Sequence, residues 1–168
     1  MVGKYYDYTL SWHGSNVEID KIRLDLGKPG KDFGQGFYLN PNYAQAYKMA
    51  VRAKRILRTG EEIVSAFEFD EKNLEDSSIK VKIFPDYSEE WAEFIVANRK
   101  NTTSLPIHDY DIVIGPIADD DVGFQLNRFI EGIIPLDVLV RELKYNGDHA
   151  IQYFFATEKA IKLLKRIK

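Results

Sequence analysis

At 168 residues the chain is long enough to bury one proper core. Hydrophobic residues make up 45% and charged residues 29%, an ordinary globular balance, and a net charge of −3 gives no overall field favouring nucleic acid or an anionic membrane. Cysteine is absent, which excludes disulfides, thiolate metal sites and cysteine nucleophiles.

The first residues, Met1 to Lys4, lead into alternating β-formers and not into an apolar stretch. We therefore expect no signal peptide, no membrane span and a cytoplasmic protein. Residues 4 to 12 read as a strand, ended by a turn at His13-Gly14-Ser15-Asn16. Residues 17 to 32 read as a loop with one short turn. Gly30, Gly34 and Gly36 then allow positive φ or close approach to a ligand, and Phe37-Tyr38-Leu39 follows as a short aromatic strand. Asn40 as N-cap and Pro41 as first helical residue open a helix to about Leu57. Tyr43, Tyr47 and Ala50 on one side, with Ala46, Met49, Ala53 and Ile56 on another, predict burial of both sides.

Residues 63 to 69 and 79 to 84 read as strands. Asp86-Tyr87-Ser88-Glu89 has the form of a capping box, opening a helix with Trp91, Phe94, Ile95 and Asn98 inward. Tyr110 to Ile114 is a short buried strand closed by Gly115-Pro116. Residues 119 to 130 read as a helix with Asp119, Asp120 and Asp121 at its positive end. Pro135 begins another helix to about Leu143, residues 145 to 148 form a turn, and 151 to 155 form a strand. Thr157 caps a final basic amphipathic helix running to Lys168, whose lysines form a solvated face. Strands and helices mix without regular alternation, so we expect a single α+β domain over 1–168.

Several motifs fail on inspection. Gly34-Gln35-Gly36 lacks the third glycine of the dinucleotide fingerprint, and Gly30-Lys31 lacks the Ser or Thr of a phosphate-binding loop. His13, His108 and His149 have no metal-ligand spacing, so no metal is expected. Ser15 has no nucleophile-elbow context.

Taken together, His13-Gly14-Ser15, Gly34-Gln35-Gly36-Phe37-Tyr38 and the late strand at Gln152 resemble the ADP-ribosyltransferases. The likeness is to the branch with a His-Tyr-[Glu/Asp/Gln] triad, that of the poly(ADP-ribose) polymerases and diphtheria toxin. More closely, four phrases are similar to a family of small bacterial proteins of unknown function in the same clan. They are Lys31-Asp32-Phe33-Gly34-x-Gly36-Phe37-Tyr38-Leu39; Trp91-x-x-Phe94-x-x-x-Asn98-Arg99; Tyr110-Asp111-Ile112-Val113-Ile114-Gly115-Pro116; and Gln152-x-x-Phe155-x-Thr157.

The resemblance implies an α+β split β-sandwich of two small mixed sheets with flanking helices, gripping NAD as co-substrate. It implies catalytic roles for His13, Tyr38 and Gln152, with Gln152 standing where the well-studied enzymes have Glu. NAD contacts are implied for His13, Gly14, Ser15, Gly36, Phe37, Tyr38 and Tyr47. His13 is to bond a ribose hydroxyl, Gly14 the nicotinamide carboxamide, and Tyr38 the face of the ring; Tyr47 or Met49 is to close the other face. Arg99 is scaffold or reaches a phosphate. Tyr145, Asn146 and Asp148 are candidates for target recognition. The expected function is mono-ADP-ribosylation of a macromolecular acceptor, protein or nucleic acid, by a bacterial toxin or defence effector with an antitoxin or immunity partner. An NAD glycohydrolase and a non-catalytic NAD- or ADP-ribose-binding module are the alternatives.

Overall fold

The computed structural model describes residues 8–118, 120–146 and 149–167; the side chains of Tyr8, Thr9 and Asp120 are outside that description. Among the described residues it is an α+β fold of seven strands and five α-helices. The strands form two small sheets. β1 (Tyr8–Ser15), β3 (Ile63–Asp70) and β7 (Leu164–Arg166) make one, in the order β1-β3-β7. β2 (Phe37–Leu39), β6 (Ile151–Phe155), β5 (Ile112–Pro116) and β4 (Val81–Ile83) make the other, in the order β2-β6-β5-β4. The first sheet is antiparallel throughout, against the expectation of two mixed sheets; only the β4–β5 pair of the second is parallel.

The alternation of side chains assigns the faces. Phe67 and Phe69 of β3 meet Phe37, Leu39, Tyr153 and Phe155 of β2 and β6 in one buried cluster between the sheets. The opposite face of the second sheet carries Val113 and Phe154 into another cluster, covered by α2 (Glu89–Lys100), α3 (Asp120–Ile130) and α4 (Leu136–Asn146). The outer face of β1 is covered by α1 (Tyr43–Leu57).

Several local expectations are corrected by long-range pairing. His13-Gly14-Ser15 continues β1 and does not form a turn, because His13 pairs with Ser65 and Ser15 with Ile63. Asn40 is not the helix cap: it pairs with Trp12 through two backbone hydrogen bonds of 2.8 Å, while Asn42 caps α1 by accepting from the amides of Ala44 and Gln45. α1 buries only Ala46 and Ala50; Tyr43, Tyr47 and Met49 remain exposed. The final helix is the short α5 (Glu158–Ile161), capped by Thr157 as expected, and the chain then enters β7. Its residues Lys165 and Arg166 lie on a strand, with Arg166 bonded to Glu18 and Asp20. α4 runs through Tyr145 and Asn146, where a turn is expected; Asp119, Gly147, Asp148 and Lys168 fall outside the described residues.

The box expected over Asp86 to Glu89 does not form: Ser88, two residues later, caps α2 by accepting from the Trp91 amide at 3.0 Å, Glu89 is the first helical residue, and Asp86 accepts from the Tyr87 amide. Asp111 fastens the second sheet's edge: its buried carboxylate accepts from the Lys80 amide at 2.8 Å and the Thr157 hydroxyl at 2.7 Å. Burial opposes its charge, yet these bonds and nearby Lys159 hold the carboxyl below its ordinary pKa.

Candidate functional site

The two sheets meet at one point and then part. Trp12 and Asn40 exchange both backbone hydrogen bonds, and no further β1–β2 pair is formed among the described residues. Hydrogen-bonding direction alternates along a strand, so Gly14, two residues past Trp12, turns its N–H and C=O toward the same edge. That edge faces β2, from which β1 is diverging, and it lines a gap. Tyr38, two residues before Asn40, presents its own backbone to the gap from the other side.

His13 crosses the gap. Its Nδ1 is 2.8 Å from the Tyr38 carbonyl oxygen, which can only accept; Nδ1 therefore carries the proton and the neutral ring leaves Nε2 as an acceptor. The imidazole stacks on Phe37, with ring centroids 4.4 Å apart and planes inclined at 24°. Burial pushes the imidazole below its ordinary pKa, more than the bond to Tyr38 raises it.

Tyr38 turns the other way from Phe37. Its ring lies against Phe154 at 4.8 Å, and its hydroxyl donates to the Gly34 carbonyl at 2.7 Å while accepting from the Phe33 amide at 3.1 Å. Burial raises its pKa well above the ordinary phenol value, so the hydroxyl stays protonated and holds the glycine loop. His108 fixes the same loop, donating from Nε2 to the Phe33 carbonyl at 2.7 Å.

Gln152 lies on β6, two residues before Phe154 and therefore on the face of Phe154 and Tyr38. It sits one step beyond the Leu39–Tyr153 pair, opposite Asn40, and pairs with Gly115 on its other side. Its Nε2 is sealed from solvent and bonds to nothing among the described residues. Leaving such a donor unpaired costs about 1–3 kcal/mol. The structure thus places His13, Tyr38 and Gln152 at one junction, with the imidazole on one face of it and the phenol and amide on the other.

A family model described as "Protein of unknown function (DUF3990)" matches residues 10–166. The chain belongs to that family. No curated protein matches it. The match takes in every residue of this DUF3990 junction, from Trp12 through the glycine loop to Gln152, but its description assigns them no chemistry.

The remaining expected contacts of the DUF3990 site divide. Gly36 allows β2 to press onto β6, since a Cβ there would lie 2.4 Å from the Phe154 ring and 2.7 Å from the Phe155 carbonyl. Ser15 is engaged in the turn after β1, its Oγ accepting from the Val17 amide at 3.4 Å. Arg99 bonds Asp32 at 2.8 Å and so ties the glycine loop to the end of α2. Lys54 reaches Glu61 and Glu62, which lead into β3, and Tyr47 lies seven residues earlier on that same flank of α1. Met49 shares the opposite flank with Arg52, whose charge acts on Lys31 in the glycine loop. Tyr47 and Met49 are both about half exposed, on opposite flanks of α1.

Phe154, Phe33 and His108 are the residues that sequence reasoning missed. The available signal for Phe154 was its spacing of two from Gln152 on a strand. A cleft of about 600 Å³ lies behind the glycine loop, lined by Gly34, Gln35, Asn98, His108, Tyr110 and Phe154; His13, Tyr38 and Gln152 do not line it. Among the described residues no group of three or more His, Asp or Glu side chains is placed to hold a metal ion, and no helix is long and apolar enough to cross a membrane.

The buried neutral imidazole predicts a pH effect of definite sign. Below about 6.5 the unfolded chain takes up a proton that folded His13 resists, so its contribution is complete above that value and is lost as pH falls through it. Urea unfolding at pH 7.5 and pH 5 should show His13→Phe losing less stability than the wild type between the two. An equal loss would mean that the ring titrates as freely as an exposed histidine.

Proposed function

We propose that this chain is an NAD-dependent mono-ADP-ribosyltransferase with an ADP-ribosyltransferase-like fold, using the β1–β2 gap as its NAD site. The observation that carries this is the unpaired, buried Gln152 Nε2 beside Tyr38 and the open backbone edge of Gly14. A hydroxyl-rich, elongated ligand supplies the acceptor that Gln152 lacks, and a carboxamide can meet both N–H and C=O of Gly14. The Nε2 acceptor of His13 suits a ribose hydroxyl at the far end of the same ligand. Tyr38 offers a ring face for offset stacking, worth about 0.5–1.5 kcal/mol beyond burial.

In the reaction the nicotinamide–ribose C–N bond breaks, its electron pair leaving with nicotinamide. A nucleophile on the acceptor bonds to the ribose carbon and gives up a proton. Positive charge builds on the sugar in between, as in glycoside cleavage. The chain's residues hold the sugar and ring in place and exclude water. Action in the cytoplasm as a toxin or defence effector, with a neutralising partner protein, fits this chemistry.

The test uses NAD labelled in its adenylate half, incubated with the full chain and a cell lysate. The expected result is nicotinamide release matched by label in macromolecules, lost in Gln152→Ala. Release of free ADP-ribose alone identifies a glycohydrolase, and tight NAD binding without release identifies a binding module.

A further inference from the structure

We propose that the outer face of α1 together with the glycine loop is a docking surface for a single-stranded nucleic acid, which makes nucleic acid the acceptor class of the transfer. The docking stands on the features below; the acceptor assignment rests on the transferase reading.

The chain carries 26 acidic residues, yet none falls between Asp32 and Glu61. That stretch holds Lys48, Arg52, Lys54, Arg55 and Arg58. Lys54 is neutralised by Glu61 and Glu62. Lys48, Arg52, Arg55 and Arg58 are exposed and make no ion pair among the described residues. Helical spacing puts Lys48, Arg52 and Arg55 on the side away from Ala46 and Ala50, the residues seated on β1. Lys31, on which both Arg52 and Lys28 act, carries the band from α1 to the glycine loop. Partial burial lowers the Lys31 pKa, as do the like charges of Arg52 and Lys28, so these cations repel one another where the chain supplies only Asp32. Such a band relaxes when an anionic chain lies along it.

Two further features favour a polynucleotide with unstacked bases over other polyanions. Tyr43 and Tyr47 stand 53% and 46% exposed one turn apart, on the flank of α1 that Lys54 shares, flat rings along the border of the basic face. Base-on-aromatic stacking is the general means by which such grooves hold single strands. At the far end of α1 an open cavity of about 440 Å³ is lined by Val51, Lys54, Arg55, Arg58, Thr59, Gly60 and Glu62; Lys54 answers the Glu62 carboxylate, which leaves Arg55 and Arg58 as its free cations among the described residues. The band reaches the glycine loop through Arg52 and Lys31, so a strand docked on it runs to the loop that the Tyr38 hydroxyl holds.

Fluorescence anisotropy with labelled oligouridylate and oligothymidylate tests the docking without NAD. Salt-weakened binding of either strand is expected. The double variant Arg55→Glu, Arg58→Glu should bind about tenfold more weakly and lower the slope of log affinity against log salt by about 1.4, at ~0.7 per phosphate contact. Tyr43→Ala should also cost about tenfold. No salt-dependent binding, unchanged binding by the charge-reversed variant, or binding only to duplex or to phosphatidylglycerol vesicles overturns the proposal. Calorimetry with NAD on the charge-reversed variant should match the wild type. A wild type that binds strands but not NAD keeps the docking surface and sinks the transferase reading. With adenylate-labelled NAD present, label should appear on the strand; label on lysate protein alone overturns the acceptor assignment.

Discussion

Gly14→Ala should lower the stability of the chain by about 3 kcal/mol, the upper part of the usual range for forcing atoms into a filled site. An alanine Cβ at this position would lie 1.8 Å from the Ala46 carbonyl oxygen and 2.7 Å from the Ala50 amide nitrogen. Both are backbone atoms of α1, so no rotamer change relieves the contact, and the helix must lift from β1. Lifting it would also displace Met49 and reshape the edge of Gly14 that faces the gap. NAD binding should therefore fall together with stability. Gly132→Ala is the control: its φ of 76° imposes backbone strain, but an added Cβ meets nothing within 4 Å. That substitution should cost about 1 kcal/mol. Thermal unfolding separates the two, since 3 kcal/mol corresponds to a fall in Tm of about 10 °C for a chain of this size. Equal costs at Gly14 and Gly132 would mean that α1 does not seat on β1 as described.

The same contact explains what the sequence concealed about α1. Helical periodicity showed apolar residues on two sides, and local reasoning had no means to rank them. The seat is set by Gly14, which admits backbone at van der Waals distance and leaves room for Ala46 and Ala50 alone. The larger residues on either side, Tyr43, Tyr47 and Met49, are lifted outward by that closeness. Legibility was better wherever a short-range signal carried the structure. Thr157 caps its helix by a side-chain hydrogen bond, and Phe37-Tyr38-Leu39 is a strand. It was poorest where a partner distant in sequence decides. Leu164 to Arg166 reads as the end of an amphipathic helix, because nothing local reveals that Phe67 to Phe69 lie waiting to pair with it. Asn40 reads as a cap because Trp12, which pairs with it, precedes it by 28 positions. The junction was legible as residue types and not as faces. Alternation along Phe37-Tyr38 is visible in the sequence, but that His13 stacks on the first while Gln152 shares the side of the second depends on how the two sheets meet.

Gln152→Met should make the chain more stable and inactive at once. The amide Nε2 is buried without a partner, so replacing it by an apolar side chain of similar length removes an unsatisfied donor and should stabilise the free chain by about 1 kcal/mol. A residue kept only for the fold would not improve the fold when removed; one kept for a ligand would, and stability traded for function is a common pattern at binding sites. Nicotinamide release from NAD by Gln152→Met should fall to background while Tm rises by about 3 °C. Gln152→Glu then reports what the amide does for the reaction. A carboxylate bonds a ribose hydroxyl more strongly than an amide does, by about 1 kcal/mol, and opposes the positive charge growing on the sugar, so turnover should rise about tenfold. Burial raises the pKa of the new carboxyl, which stays neutral at low pH and gains its charge as pH rises. The advantage over the wild type should therefore be largest on the alkaline side and vanish on the acid side. A Gln152→Met protein that is less stable than the wild type, or a Gln152→Glu protein with wild-type turnover at every pH, would show that the amide serves packing and that the gap is not a site of chemistry.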